Sequence, residues 1–244
     1  MDLYESARAV HIGIGAVVLA AFWTAALASK GDTWHRRGGR VYVWAMAALL
    51  AATGVMSAGM VQAGTPLRAV FDMYVSLISV ASVWMAWSSV RHRGHIERYF
   101  GWPYRTICVL LGGYALFLLA LVPKMGTPAR MAMVSAFAVL GLAIAGAMAW
   151  RWTRRDDHPR WWLSEHLTAM AVNFAATHAS FSILAGGSVF PVLKEPWVRT
   201  AILVSWMLSA LVVRMWAGRR FLGRARAPDG SRASSASRLS ARTR

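Results

Sequence analysis

Five ionisable side chains stand inside long apolar stretches of this chain, and they are its first candidates for chemistry: His11, Asp72, Glu165, His166 and His178. In hydrocarbon such a side chain costs about 2.5 to 3.5 kcal/mol, so each is a functional candidate by default. Two imidazoles on different helices can hold a haem iron from its two faces. Embedded carboxylates and imidazoles can also relay protons. The residue types therefore suggest a haem-binding or quinone-linked redox component, or a small-solute or proton-coupled carrier.

The haem hypothesis depends on which histidines share a layer of the structure. His166 and His178 are twelve residues apart, about 18 Å along a helix and about 120° around it, so they cannot serve one small site. We expect His11 and His178 to form an external pair, and His166 and His35 an internal pair. Either pair is a candidate for binding haem b.

The carrier hypothesis rests on two polar stripes with helical spacing. The stripe in the predicted sixth span contains His166, Met170, Asn173, Thr177 and Ser180, and the stripe in the third contains Asp72, Ser76 and Ser79. Asp72, Asn173 and Arg40 are the candidate residues of a substrate or proton pathway. The alternative is that both stripes only make interhelical hydrogen bonds of roughly 0.6 kcal/mol each, with Arg68 pairing with Asp72 along its own helix.

Other chemistries have no sequence signal. The single cysteine, Cys108, excludes an internal disulfide and a CxxC metal site. There is no HExxH sequence, phosphate-binding glycine loop or serine nucleophile elbow, so neither an enzyme nor a metal centre is predicted.

The elements that position these side chains are predicted to be membrane-spanning helices. Of the 244 residues, 57% are hydrophobic and 15% are charged, which is too apolar for a soluble domain. A span needs about 20 apolar residues. The runs are 7–29, 41–62, 69–90, 105–122, 131–152, 161–184 and 197–216. Their separators include Gly38-Gly39 and the segment from Gly186-Gly187 through Pro191 and Pro196. We predict an all-α, seven-span bundle in which the spacings Gly54-xxx-Ala58 and Gly141-xxx-Ala145 mark close helix contacts.

The cations predict the orientation, because Lys and Arg beside spans are retained in the cytoplasm. Of the 27 Lys and Arg residues, 21 flank one side of the seven predicted spans. This places the N-terminus outside and the C-terminus in the cytoplasm. We expect the first span to be retained rather than cleaved as a signal peptide, because acidic Asp2 and Glu5 precede it.

The segment 221–244 is rich in Arg, Ser and Ala, and we predict that it is a disordered tail. Its arginines suit anionic lipid headgroups. No folded reading element accompanies the charge, so nucleic-acid binding is not expected.

Three stretches carry a family resemblance: HIGIG from His11, KG at Lys30, and HRRGGR from His35 to Arg40. This pattern resembles a family of predicted bacterial inner-membrane proteins, domain of unknown function two thousand three hundred and six, and HLTAM from His166 is similar to the C-terminal part of its longer members. The resemblance implies a multi-pass protein of the bacterial cytoplasmic membrane without an assigned activity. It singles out His11, His35, Arg36, Gly39, Arg40 and His166. The chain departs from the pattern at Ala169 and His178, which favours the internal group of His35, Arg40 and His166.

Overall fold

A computed structural model describes residues 3–155 and 158–222. All regular secondary structure in this part of the chain is helical, and it contains no strands. The helices are α1 (Leu3–Leu27), α2 (Thr33–Gln62), α3 (Pro66–Arg91), α4 (Ile96–Tyr99), α5 (Trp102–Leu121), α6 (Pro128–Arg154), α7 (Trp161–Val189) and α8 (Pro196–Leu222). Short 3-10 turns at Val122–Lys124 and Pro191–Lys194 follow α5 and α7. The all-α prediction is confirmed.

Six of the long helices, α1, α2, α3, α5, α6 and α8, are long and apolar enough to cross a bilayer. The remaining long helix, α7, corresponds to the predicted span 161–184 and is not among these six. It carries the buried polar residues Glu165, Asn173 and His178. These side chains lower its hydropathy, and they face neighbouring helices instead of lipid.

The predicted break at Gly38-Gly39 is wrong, because α2 begins at Thr33 and both glycines are helical. Asp32 caps this start by accepting the main-chain N–H of His35 at 2.7 Å. His35 therefore lies in the first turn of α2, where a loop was expected.

The C-terminal half also differs from the prediction in its helix ends. Helix α7 continues through Gly186 and Gly187 to Val189, so the break predicted from Gly186 to Pro196 is found only in its later part, between α7 and α8. Helix α8 continues to Leu222, which takes in the first two residues of the predicted tail. The rest of that tail, 223–244, lies outside the described residues.

The described part of the bundle has three apolar cores. The first lies between α3, α5 and α6 around Tyr74 and Leu111. The second lies between α1, α2, α7 and α8 around Val18 and Phe174. The third lies around Tyr104 and includes residues of α3, α4, α5, α6 and α7. Helix α7 therefore contributes to the second and third cores, and it packs against α3 and α8 and also touches α1.

A glycine permits the closest approach in the first core. A Cβ added to Gly141 on α6 would lie 1.6 Å from the Tyr74 hydroxyl. That hydroxyl donates to the Phe137 carbonyl at 3.2 Å. Gly141 thus accommodates a buried tyrosine from α3, and the predicted contact at Gly141-xxx-Ala145 is confirmed. The predicted contact at Gly54-xxx-Ala58 is wrong at Gly54, because nothing in the described part of the chain lies within 4 Å of a Cβ added there.

Three connections and the C-terminal end of α8 meet at one end of the bundle, which we call the basic end. Arg155, after α6, pairs with Glu97 of α4 at 3.0 Å. Arg160, before α7, donates to the Phe221 carbonyl of α8 at 2.9 Å. Since Lys30 also lies within electrostatic range of His166 near the start of α7, the first connection is at this end too.

Candidate functional site

The connection between α1 and α2 is organised around one main-chain carbonyl, that of Ala25. His35 places its Nδ1 2.8 Å from this oxygen, and Lys30 donates to it from Nζ at 3.3 Å. Lys30 also donates to the carbonyls of Ala26 and Ala28, so it caps the C-terminal end of α1. Burial lowers the pKa of Lys30, and nearby Asp32 partly opposes this shift. The KG and HRRGGR residues are therefore one structural unit.

Gly38 brings α2 against α1 just below this unit. A Cβ at Gly38 would lie 3.0 Å from the Ala25 nitrogen and 3.2 Å from the Ala21 oxygen, so only glycine fits without displacing the backbone. Gly39 has open space around its corresponding position. The close packing of the two helices holds His35 at the Ala25 carbonyl.

His166 approaches the same region from α7. Its Nδ1 lies 2.9 Å from the Ala86 carbonyl of α3, and its ring is within electrostatic range of His35 and Lys30. The structure thus places His166 within electrostatic range of His35 at the basic end. Three helices supply the constraint: α2 carries His35, α7 carries His166, and α3 provides the carbonyl that orients the latter.

The hydrogen bonds determine the tautomer of both rings. A carbonyl oxygen can only accept, so Nδ1 must carry the proton in His35 and in His166. In the neutral ring, Nε2 then holds a free lone pair. This is the arrangement of iron- and zinc-binding histidines, which donate their other N–H to a carbonyl or carboxylate.

His178 lies in a different environment, with both ring nitrogens engaged. Its Nδ1 donates to the Phe174 carbonyl at 2.8 Å, and its Nε2 accepts from the Trp23 indole N–H at 3.0 Å. The rings of Phe22, Trp23, Phe174 and Trp206 surround it. With no free lone pair, His178 cannot bind a metal while these bonds persist.

The structure does not bring His11 to His178. His11 bonds through Nδ1 to Thr53 on α2 at 3.1 Å. His178 contacts α1 at Trp23, twelve residues later, which is about 18 Å along the helix. The two members of the predicted external pair therefore lie at different levels of the bundle.

The residues of the predicted pathway are also dispersed. Asn173 is 1% exposed and accepts from Ser82 of α3 at 3.0 Å, so this part of the α7 stripe faces protein. Asp72 is half-buried on the same helix α3, ten residues earlier, about 15 Å from Ser82. Arg40 is exposed on the outer face of α2.

A buried ionic network next to His166 was not predicted as a unit. Glu165 is 5% exposed, and its carboxylate accepts from Arg151 of α6 and from the Tyr99 hydroxyl at 3.0 Å. Arg214 of α8 donates to Ser164 at 2.9 Å and to Thr168 at 2.8 Å beside it. The sequence singles out Glu165 because a carboxylate in an apolar stretch has a high free-energy cost. It presents Arg151 and Arg214 only as charges that indicate the membrane orientation. The network connects α4, α6, α7 and α8 at the basic end.

Within residues 3–155 and 158–222, no group of three His, Cys, Asp or Glu side chains could hold a bare metal ion. In this part of the chain the structure does offer two imidazoles, each with Nδ1 at a main-chain carbonyl and Nε2 without a hydrogen bond, near the Lys30 cation. Imidazole nitrogens are ligands of haem iron, whose porphyrin supplies the other four iron ligands and carries anionic propionates.

No family model, curated protein or solved structure matches the chain. The family resemblance carried by HIGIG, KG and HRRGGR therefore remains a prediction.

Proposed function

We propose that this chain is a seven-span protein of the bacterial cytoplasmic membrane that holds a haem-type redox group between His35 and His166. One observation carries the proposal: both imidazoles direct Nδ1 to a main-chain carbonyl and keep Nε2 free, within electrostatic range of each other. A bound haem b would supply one-electron transfer, with a potential tuned by its ligands and its burial.

The residues around the pair would position such a group and offset the negative charge of its propionates. The carbonyls of Ala25 and Ala86 fix the two rings and raise the basicity of Nε2. Lys30 provides a cation for an anionic propionate, and this pairing would offset the burial that lowers its pKa. Glu165, the residue before His166 on α7, pairs with Arg151 of α6. This ion pair restrains the helix that carries His166.

In this proposal α7 also crosses the membrane, as the sixth of seven spans. Its polar side chains bond to other helices, as Asn173 does to Ser82, so they need not contact hydrocarbon. With seven spans, the charge distribution favours a cytoplasmic basic end and an external N-terminus. Membership of the resembled family belongs to the same proposal. The carrier hypothesis has less support, because Asp72 lies about 15 Å along α3 from Ser82, the hydrogen-bond partner of Asn173.

The test is an absorption spectrum of detergent-purified protein expressed in haem-supplied cells. We expect a Soret band in the wild type and its loss or shift in His35→Gln and His166→Gln. His178→Gln is the matched control, since it changes a buried histidine of the same helix whose nitrogens are both engaged. Each variant must elute as a monodisperse peak. A colourless wild-type protein, or full retention of the same spectrum in His166→Gln, would overturn the assignment.

A further inference from the structure

The outer face of α2 at the basic end contains a shallow, open groove of about 540 Å³. Its lining residues are Arg37, Arg40, Val41, Trp44 and Ala45. These positions have the spacing of one helical face. The face that packs into the bundle is a different one, formed by Gly38, Tyr42 and Met46. The groove therefore faces the surroundings of the protein and not its interior.

The groove is ordered along the helix axis from charge to hydrocarbon. Arg37 and Arg40 are nearest the basic end, and Val41 and Trp44, which are 50% and 76% exposed, follow deeper along the helix. From Arg37 to Ala45 the rise is about 12 Å. A phospholipid presents the same order over a similar depth, with phosphate at the surface and acyl chains below it.

Charge complementarity indicates which lipid fits. Neither Arg37 nor Arg40 has an ion pair or a hydrogen bond from its side chain in the described part of the chain. Three other arginines, Arg8, Arg151 and Arg155, do have carboxylate partners. Cations near the N-terminal end of a helix do not stabilise that helix, so these two are not explained by folding.

We propose that this groove is a binding site for one anionic phospholipid, with Arg37 and Arg40 on the phosphate and with Val41, Trp44 and Ala45 against the acyl chains. The indole of Trp44 lies at the level where tryptophan anchors proteins to the membrane interface. Both arginines are needed for selectivity between anionic and zwitterionic lipids, because the acyl contacts are the same for both classes.

The experiment measures lipid adducts by native mass spectrometry of the full chain in detergent. Phosphatidylglycerol and phosphatidylcholine with identical acyl chains are titrated separately. We expect Arg37 and Arg40 together to make the affinity for phosphatidylglycerol roughly tenfold to thirtyfold higher than the affinity for phosphatidylcholine. Arg37→Gln/Arg40→Gln should remove this preference. Arg93→Gln/Arg98→Gln is the matched control, since it removes two exposed, unpaired arginines from the same end without touching the groove, and it should retain the preference.

Two further arms separate the contributions of chain and headgroup. Trp44→Ala should lower the affinity for both lipids equally. Trp102→Ala, which removes an equally exposed tryptophan, should leave both affinities unchanged. Inorganic phosphate at the same concentration should not displace the lipid. Equal loss of preference in the two arginine double variants would show general surface charge and overturn the proposal. Displacement by phosphate would show an anion site and would overturn it too.

Discussion

Trp23 of α1 and His178 of α7 form a hydrogen bond across the bundle, with the indole nitrogen 3.0 Å from Nε2. Since Nδ1 of the same ring donates to the Phe174 carbonyl at 2.8 Å, the imidazole is neutral and fully bonded. This contact links α1 to α7, which contributes to the second and third cores. It also explains why a histidine in an apolar stretch need not be a cofactor ligand.

Trp23→Phe tests this contact. It keeps the aromatic packing but leaves Nε2 of His178 without a donor, so we expect the free energy of unfolding to fall by about 1 kcal/mol. The measurement is reversible unfolding in detergent micelles. Trp150→Phe is the control, since that exposed indole has no hydrogen-bond partner in the described chain. Equal stability of the two variants would argue against a stabilising role for the contact.

Glu165→Gln should be the most damaging of the charge substitutions. It leaves Arg151 without its carboxylate partner in a buried setting, where removing one member of a pair costs about 3 kcal/mol. Glu97→Gln removes the partner of Arg155 in a pair whose side chains are 40% and 73% exposed, so less than about 1 kcal/mol is expected. Thermal unfolding of both variants under identical detergent conditions gives the comparison, and a smaller effect at Glu165 than at Glu97 contradicts it.

Two adjacent glycines of α2 should respond oppositely to alanine. Gly38→Ala forces a Cβ against the α1 backbone, so we expect a loss of about 1 to 3 kcal/mol of stability. Gly39→Ala meets open space and should be neutral or stabilising by up to about 1 kcal/mol, because alanine is the better helix former. The haem spectrum of the Gly38 variant should also weaken, because His35 moves with the helix. Indistinguishable unfolding curves would contradict the close approach of α1 and α2.

Reporter fusions test the number of spans. A fluorescent protein attached after Arg244 should fold and emit, and alkaline phosphatase at the same position should be inactive, because seven spans place this end in the cytoplasm. Fusions after Gln62, at the end of α2, should give the reverse pattern. An active phosphatase after Arg244 would mean that α7 does not cross the membrane.

Helix ends illustrate what a local pattern misses. The sequence predicts a break at Gly38-Gly39 because glycine is a poor helix former. In the structure, Asp32 starts the helix earlier, and Gly38 permits a contact with α1 that no local pattern reveals. A glycine selected for interhelical distance and a glycine selected for a turn look the same in one sequence.

The sequence also limits what can be inferred about the ionic network. Glu165 is conspicuous in an apolar stretch, but its partners Tyr99 and Arg151 are 66 and 14 positions away along the chain. Pairings over such distances follow from how helices pack. The sequence contains no spacing that could specify them.

From the sequence alone came the all-helical fold, the approximate extents of the apolar helices and the concentration of cations on one side. These follow from short-range physics, because hydrocarbon requires about 20 apolar residues per helix and imposes its cost one residue at a time. Only the tertiary structure decided which histidines lie within electrostatic range of each other, which carbonyls fix their protons, and which arginine neutralises Glu165. Those outcomes depend on the rotation and depth of each helix relative to its neighbours, and these are set by the packing of the whole bundle.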